Sequence, residues 1–336
     1  MEMSKKSLFG KAVGLVAIGG VLYTAMGWPF FHYMTYVKKE EKSGEKKPGW
    51  SKLNHTQTNH PRHWFEEEYE AAKSWCMEQP VQEWYIDSRD GKRLHASWLP
   101  AENAKRIVLL FHGYRGNRFG SISGAARFLH DHETSLLFVD QRCCGESGGT
   151  YITFGAKEQY DVLDWLKRVQ AENADQKLPI YLYGQSMGAT TVLLSAGHEL
   201  PEEVKGLIAD CGFHSMKQQL RDLAAEWFHF HRIGALLLRL NLFCRLFGHF
   251  HMKETDTTEA LKKNTRPVLF FHGEADTYVQ PENTVRNFEL CRAPKELVLI
   301  PGAMHLCSYY AAPELYQGKL TEFFERYDKA GIRHTS

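Results

Sequence analysis

The chain is almost without net charge: 41 lysines and arginines stand against 40 aspartates and glutamates in 336 residues. A nucleic-acid-binding domain needs a basic patch or stripe to meet phosphates, and bulk charge argues for none. Cysteine is sparse. There are seven, and no pair has CxxC spacing. That leaves no zinc cluster of paired cysteines and no dithiol redox motif. The odd count, the adjacent Cys143 and Cys144 and the length of the chain argue against a disulfide framework. The body of the chain is therefore expected in reducing surroundings. No internal repeat is visible.

One run has no charge at all. Lys5, Lys6 and Lys11 precede an uncharged stretch over residues 12–31, interrupted by Gly14, Gly19, Gly20 and Gly27. About 20 apolar residues span a bilayer as a helix. The leading expectation is a single N-terminal membrane anchor within residues 1–37. A cleaved signal peptide, giving a secreted protein, is the alternative, although no small-x-small site follows the run. An interfacial amphipathic helix is the third reading. Lys38, Lys39, Lys42, Lys46 and Lys47 follow, mixed with Glu40, Glu41 and Glu45, so flanking charge leaves the orientation undecided. Residues 38–61 are polar and charged and read as a flexible linker.

Beyond the linker, residues 63–77 predict a helix held by Trp64, Phe65, Tyr69 and Trp75. Apolar, β-rich runs follow at 81–86, 94–99, 107–111, 135–139, 180–183, 206–209, 268–271 and 297–300. Helical segments lie between the later ones. In residues 156–170, Val162, Trp165, Leu166 and Val169 recur at helical spacing and define one buried face. Residues 189–199, 282–291 and 314–330 read similarly. The pattern predicts an α/β fold: an eight-stranded, mostly parallel sheet flanked by helices, with an antiparallel start. Its body covers residues 62–212 and 267–336. Residues 213–266 break the rhythm with an apolar helical pair and no strand signal, which predicts an inserted helical cap.

Four motifs carry chemistry. Gly184-Gln185-Ser186-Met187-Gly188 joins a strand to a helix. A sharp strand-to-helix reversal strains the serine backbone and leaves room only for small residues two positions to either side. Phe111-His112-Gly113-Tyr114 follows a buried strand and can aim a backbone N–H at the same point. The backbone N–H groups of Tyr114 and Met187 are the candidate oxyanion hole. In His272-Gly273-Glu274-Ala275-Asp276, a loop carboxylate follows a strand. Asp276 is the candidate acid, with Asp210 and Glu274 as competitors. Pro301-Gly302-Ala303-Met304-His305 supplies a late loop histidine. The chain order Ser186, Asp276, His305 is that of a nucleophile–acid–base triad on this architecture. His229, His231, His249 and His251 form two H-x-H pairs in the cap. That spacing splays the side chains on a helix, so solvent-edge histidines are favoured over metal ligands.

These motifs, together with Asp140-Gln141-Arg142-Cys143-Cys144-Gly145-Glu146-Ser147-Gly148-Gly149, resemble the α/β-hydrolase superfamily over roughly residues 62–330. The resemblance is to a bacterial, membrane-anchored or exported esterase- or thioesterase-like branch, similar to prolyl-oligopeptidase-type catalytic domains. It implies that Asp140 and Arg142 are structural. It also implies a serine hydrolase with Ser186 as nucleophile, His305 as base and Asp276 as orienting acid, acting on a small acyl substrate without metal or cofactor. A peptidase, an acyltransferase and a tethered non-enzymatic binding protein are the other readings. A peptidase of that type usually carries an N-terminal propeller, for which 60 residues leave no room.

Overall fold

The run at residues 107–111 has no polar residue on either side-chain row, so both faces of that strand must be covered. A computed structural model of the chain shows how. It describes residues 27–38 and 61–328. Most of the uncharged run and nearly all of the predicted linker lie outside the described residues.

Eight strands form one sheet: β1 (Gln82–Asp87), β2 (Arg93–Leu99), β3 (Arg106–Phe111), β4 (Thr134–Asp140), β5 (Ile180–Gln185), β6 (Val204–Asp210), β7 (Val268–Gly273) and β8 (Lys295–Ile300). Their order is β1-β2-β4-β3-β5-β6-β7-β8. β2 pairs antiparallel with β1 and with β4, and every later pairing is parallel. This is the α/β-hydrolase fold predicted, with its antiparallel start.

The helices of six residues or more among the described residues are α1 (Trp28–Thr35), α2 (Glu66–Glu78), α3 (Ala126–Asp131), α4 (Glu158–Glu172), α5 (Met187–Ser195), α6 (Met216–Phe228), α7 (Gly234–Phe243), α8 (Thr258–Lys263), α9 (Pro281–Leu290) and α10 (Pro313–Tyr327). Strand alternation sorts the core into two layers. Ile107, Leu109 and Phe111 of β3 pack with Val162, Trp165, Leu166 and Val169 of α4 and with Val192 and Leu193 of α5. Val108 and Leu110 point the other way, towards Leu129 of α3 and Tyr316, Leu320 and Phe323 of α10. Helix α5 is buried all round and starts two residues earlier than its apolar pattern suggests. After Met187, Gly188 and Ala189 give its first turn too little apolar periodicity to mark the start.

Between β6 and β7 the described chain carries no strand; its elements are α6, α7, a π-helical turn Cys244–Gly248, a 3-10 turn Met252–Thr255 and α8, joined by short irregular stretches. Ile233, Leu237, Leu240 and Phe243 join Met187, Phe154 and Phe213 in a third apolar cluster.

The N-terminal boundary needs correcting. Residues 27–37, assigned from hydropathy to the anchor, pack on the domain. Phe31 and Thr35 are buried, and the Trp28 ring lies 5.6 Å from Phe243 and 4.6 Å from Phe247. The Val37 N–H donates to the Thr150 carbonyl (3.0 Å) and the Ile152 N–H to the Thr35 carbonyl (2.7 Å). Hydropathy registers that a run wants to leave water, and an apolar cap satisfies that want as well as lipid does. Among the described residues no helix is long and apolar enough to cross a membrane.

Candidate active site

Parallel strands bring their carboxyl ends to one edge of a sheet, where loops can converge. Ser186 follows β5, Tyr114 follows β3, Asp276 follows β7 and His305 follows β8.

Ser186 sits between β5 and α5 with φ 53° and ψ −117°. A positive φ is costly for a residue with a Cβ, about 1–3 kcal/mol, and persists only where the surroundings enforce it. The surroundings are tight. A Cβ on Gly184 would lie 2.2 Å from the Gly188 carbonyl oxygen, and one on Gly188 would lie 2.0 Å from that of Phe111. Neither position admits any side chain without moving backbone. Gly188→Ala is therefore expected to cost about 3 kcal/mol or more, measured as a fall in the chemical-denaturation midpoint.

The three candidate residues meet. His305 Nε2 lies 3.0 Å from Ser186 Oγ, and His305 Nδ1 lies 2.7 Å from Asp276 Oδ2. All three are buried. With an ionised Asp276 the imidazole carries its proton on Nδ1 and accepts from the serine hydroxyl on Nε2. Asp276 Oδ1 accepts the N–H groups of Tyr278 and Val279, at 2.9 Å each, which fixes the carboxylate on its loop. Burial pushes the Asp276 carboxyl up, but the charges and hydrogen bonds of His305 and His272 overcome it and hold it well below the usual carboxylate range.

The competitors go elsewhere. Asp210 is buried and accepts from Ser308 Oγ (2.9 Å), Tyr316 OH and Gln185 Nε2 (3.2 Å each). Its burial raises the carboxyl above the usual range. Glu274 is exposed. His229, His231, His249 and His251 are exposed as well. The one metal-compatible cluster among the described residues is Cys211, Asp276 and His305, which shares the site itself.

The turn after β3 is fixed by a histidine. The Gln141 N–H donates to His112 Nε2 (3.1 Å), so the His112 proton sits on Nδ1 and is donated to the Gly113 carbonyl (2.7 Å). Burial lowers His112, which keeps it neutral. Gln141 Nε2 donates to the His112 carbonyl. Gly113 lies against the serine, where an added Cβ would stand 3.4 Å from Ser186 Cβ. Among the described residues, neither the Tyr114 nor the Met187 N–H donates to a backbone carbonyl. Met187 heads α5, where first-turn N–H groups have no intrahelical partner. Asp140 and Arg142 are buried in ion pairs, Asp140 with His95 and Arg118, Arg142 with Asp161 and Asp90.

Three contributors escaped the motif reading. His272, wholly buried in β7, has Nε2 3.2 Å from Asp276 Oδ2 and Nδ1 2.6 Å from Thr284 Oγ1. Its HG pairing after a strand was the available signal. Tyr278 packs edge-on against His305, ring centroids 4.8 Å apart, and stacks on Trp227 of α6. The third is the N-terminal segment. The Tyr114 hydroxyl donates to the Met34 carbonyl (2.7 Å), and Arg115 Nη2 donates to the carbonyls of Tyr33 (2.7 Å) and Tyr36 (2.9 Å). No local motif encodes a contact across about 80 positions of sequence. Because these bonds brace Tyr114, the candidate oxyanion-hole residue after β3, a chain starting at residue 39 is expected to lose about tenfold or more in kcat on a small ester. Tyr114→Phe should lose part of this, measured with the folded proteins under saturating ester.

Residues 102–242 match the family described as "Serine aminopeptidase, S33". An uncharacterised Bacillus subtilis protein, YqkD, is 27% identical over 93% of this chain and 96% of its own. The Pyrococcus furiosus esterase Pf2001 superposes with a TM-score of 0.61 at 20% identity, over 76% of this chain and 95% of its own. A Xanthomonas campestris serine hydrolase without a lid gives 0.51 at 19% identity, over 74% and 96%.

Proposed function

Taking as premise that the chain belongs to the α/β-hydrolase superfamily, we propose that it is a serine hydrolase cleaving a carboxylic ester or thioester through an acyl-enzyme on Ser186. The observation that carries this reading is the continuous hydrogen-bonded line from Ser186 Oγ through His305 to Asp276, ending on a strained serine.

Neutral His305 takes the Ser186 proton on Nε2 as Oγ bonds to the substrate carbonyl carbon, whose π electrons move to oxygen. The N–H groups of Met187 and Tyr114 stabilise that oxyanion. The oxyanion collapses, the bond to the leaving group breaks, and His305 returns the proton to the leaving alcohol or thiol. Water, deprotonated by His305, then attacks the acyl-enzyme and releases the acid and free Ser186. Asp276 holds the imidazole tautomer and stabilises its charged form. Apolar side chains of the cap and of Phe154, Phe213 and Met187 support an acyl chain as the retained half.

The matched family description favours one second reading, an aminopeptidase-like amidase. Paired assays separate the two. p-Nitrophenyl esters from acetate to palmitate should turn over at least about a hundredfold faster than aminoacyl p-nitroanilides. The reverse order would make the amidase reading primary. We read the uncharged residues 12–26 as a tether that keeps the enzyme at a membrane.

A further inference from the structure

We propose that the outer face of the cap docks on an anionic bilayer surface, with α7 and its π-helical continuation lying in the lipid interface.

Exposed apolar side chains on this molecule are not scattered. Among the described residues twelve large hydrophobic side chains are exposed: Phe30, Tyr33, Trp64, Met77, Tyr85, Phe228, Phe230, Leu238, Leu242, Leu246, Phe247 and Leu315. Eight of them lie in α1 or between residues 228 and 247. Leu238 is 74% exposed, Phe228 66% and Leu246 57%. The two segments are one neighbourhood, because Trp28 packs on Phe247 and Phe243, and a Cβ on Gly27 would touch Arg239. Within α7 the division is clear. Leu237 and Leu240 are buried towards the domain, while Leu238 and Leu242, one turn apart, face outward.

Two observations choose the occupant. The first is charge. Between Glu226 and Glu254 there is no Asp or Glu, while Arg232, Arg239, Arg245 and Lys253 fall in that interval. Arg232, Arg245 and Lys253 are exposed. Exposed Leu and Phe interspersed with cations and no anion is the composition of a segment lying in an anionic lipid interface. The second is reach. Residues 12–26 are uncharged, and residue 27 is already packed on α7. Fifteen residues rise about 22 Å as a helix, short of a hydrocarbon core of about 30 Å. A tether of that length, continuing directly into residue 27, draws the domain onto the surface by the face where it enters. That face carries the apolar cluster.

The docking extends the tether reading and is independent of the hydrolase chemistry. All seven native cysteines are buried, so a thiol-reactive NBD fluorophore reports on a single introduced cysteine. The full chain carrying Leu238→Cys, Leu246→Cys or, as control, Leu315→Cys is mixed with vesicles of phosphatidylcholine and phosphatidylglycerol that contain brominated lipid. The expected result is several-fold quenching at 238 and 246, little at 315, and stronger quenching as phosphatidylglycerol rises. Arg232→Glu with Arg245→Glu should remove that dependence on anionic lipid. Vesicle-bound protein whose probes at 238 and 246 are no more quenched than 315 overturns the docking while leaving the tether, because another surface then covers or avoids this face. Protein that stays in the supernatant overturns both.

Discussion

Ser186→Ala is expected to reduce kcat on a p-nitrophenyl ester by about 10⁵-fold or more, with the remaining rate independent of His305. The size follows from what the serine does. It supplies the bond-forming atom, and without it no acyl-enzyme forms for the imidazole and carboxylate to act on. Removing His305 as well should therefore cost almost nothing further. Such non-additivity distinguishes a unit that acts together from three residues that merely neighbour one another. The fold should survive. Because Ser186 holds φ 53°, Ser186→Gly should be more stable than Ser186→Ala by about 1 kcal/mol, since glycine alone adopts that backbone without strain. Matched denaturation curves for the two variants check this separately from the kinetics.

The second large effect is at Asp276. Asp276→Asn should lower kcat/KM by about 10³- to 10⁴-fold with KM little changed. An amide can still accept the Tyr278 and Val279 N–H groups through its oxygen, so the loop is retained. Its NH₂ group would then face His305 Nδ1, which must give up its proton to accept, and Nε2 carries the proton instead. The base is lost while the geometry stays. The same substitution changes the response to acid. Asp276 is held below its ordinary value, so folding is favoured by its ionised form. That stability is fully present above the unfolded carboxylate value of about 3.9 and is lost as pH falls through the folded value. The stability gap between wild type and Asp276→Asn should therefore be constant from neutral pH to about pH 5 and shrink below about pH 4. Urea titrations at stepped pH read it directly.

How much of this was legible beforehand depends on how local the cause is. All eight strands follow from β-rich runs, and for the inner ones, such as β3, β4, β5 and β7, the demand to bury both faces is written in each strand alone. The cap follows from the missing strand signal between β6 and β7. Ser186 and its two glycines follow from sterics within five residues. The choice between Asp276 and Asp210 is not local, since both stand at strand ends. It turns on partners 25 or more residues away, His305 for one and Ser308, Tyr316 and Gln185 for the other. His272 was passed over because a buried strand histidine reveals its role only through the carboxylate beside it. The segment from Trp28 to Thr35 was misassigned because α7 presents it with an apolar surface that hydropathy cannot tell from lipid.

Intact-mass analysis of the full chain after exposure to a fluorophosphonate tests the chemistry most directly. A nucleophilic serine activated by His305 predicts one adduct per chain, mapped to Ser186 by peptide sequencing, abolished in Ser186→Ala and slowed by orders of magnitude in His305→Ala. A folded wild-type chain that takes up no label, or takes it up equally well without Ser186, would contradict an acyl-enzyme at this serine.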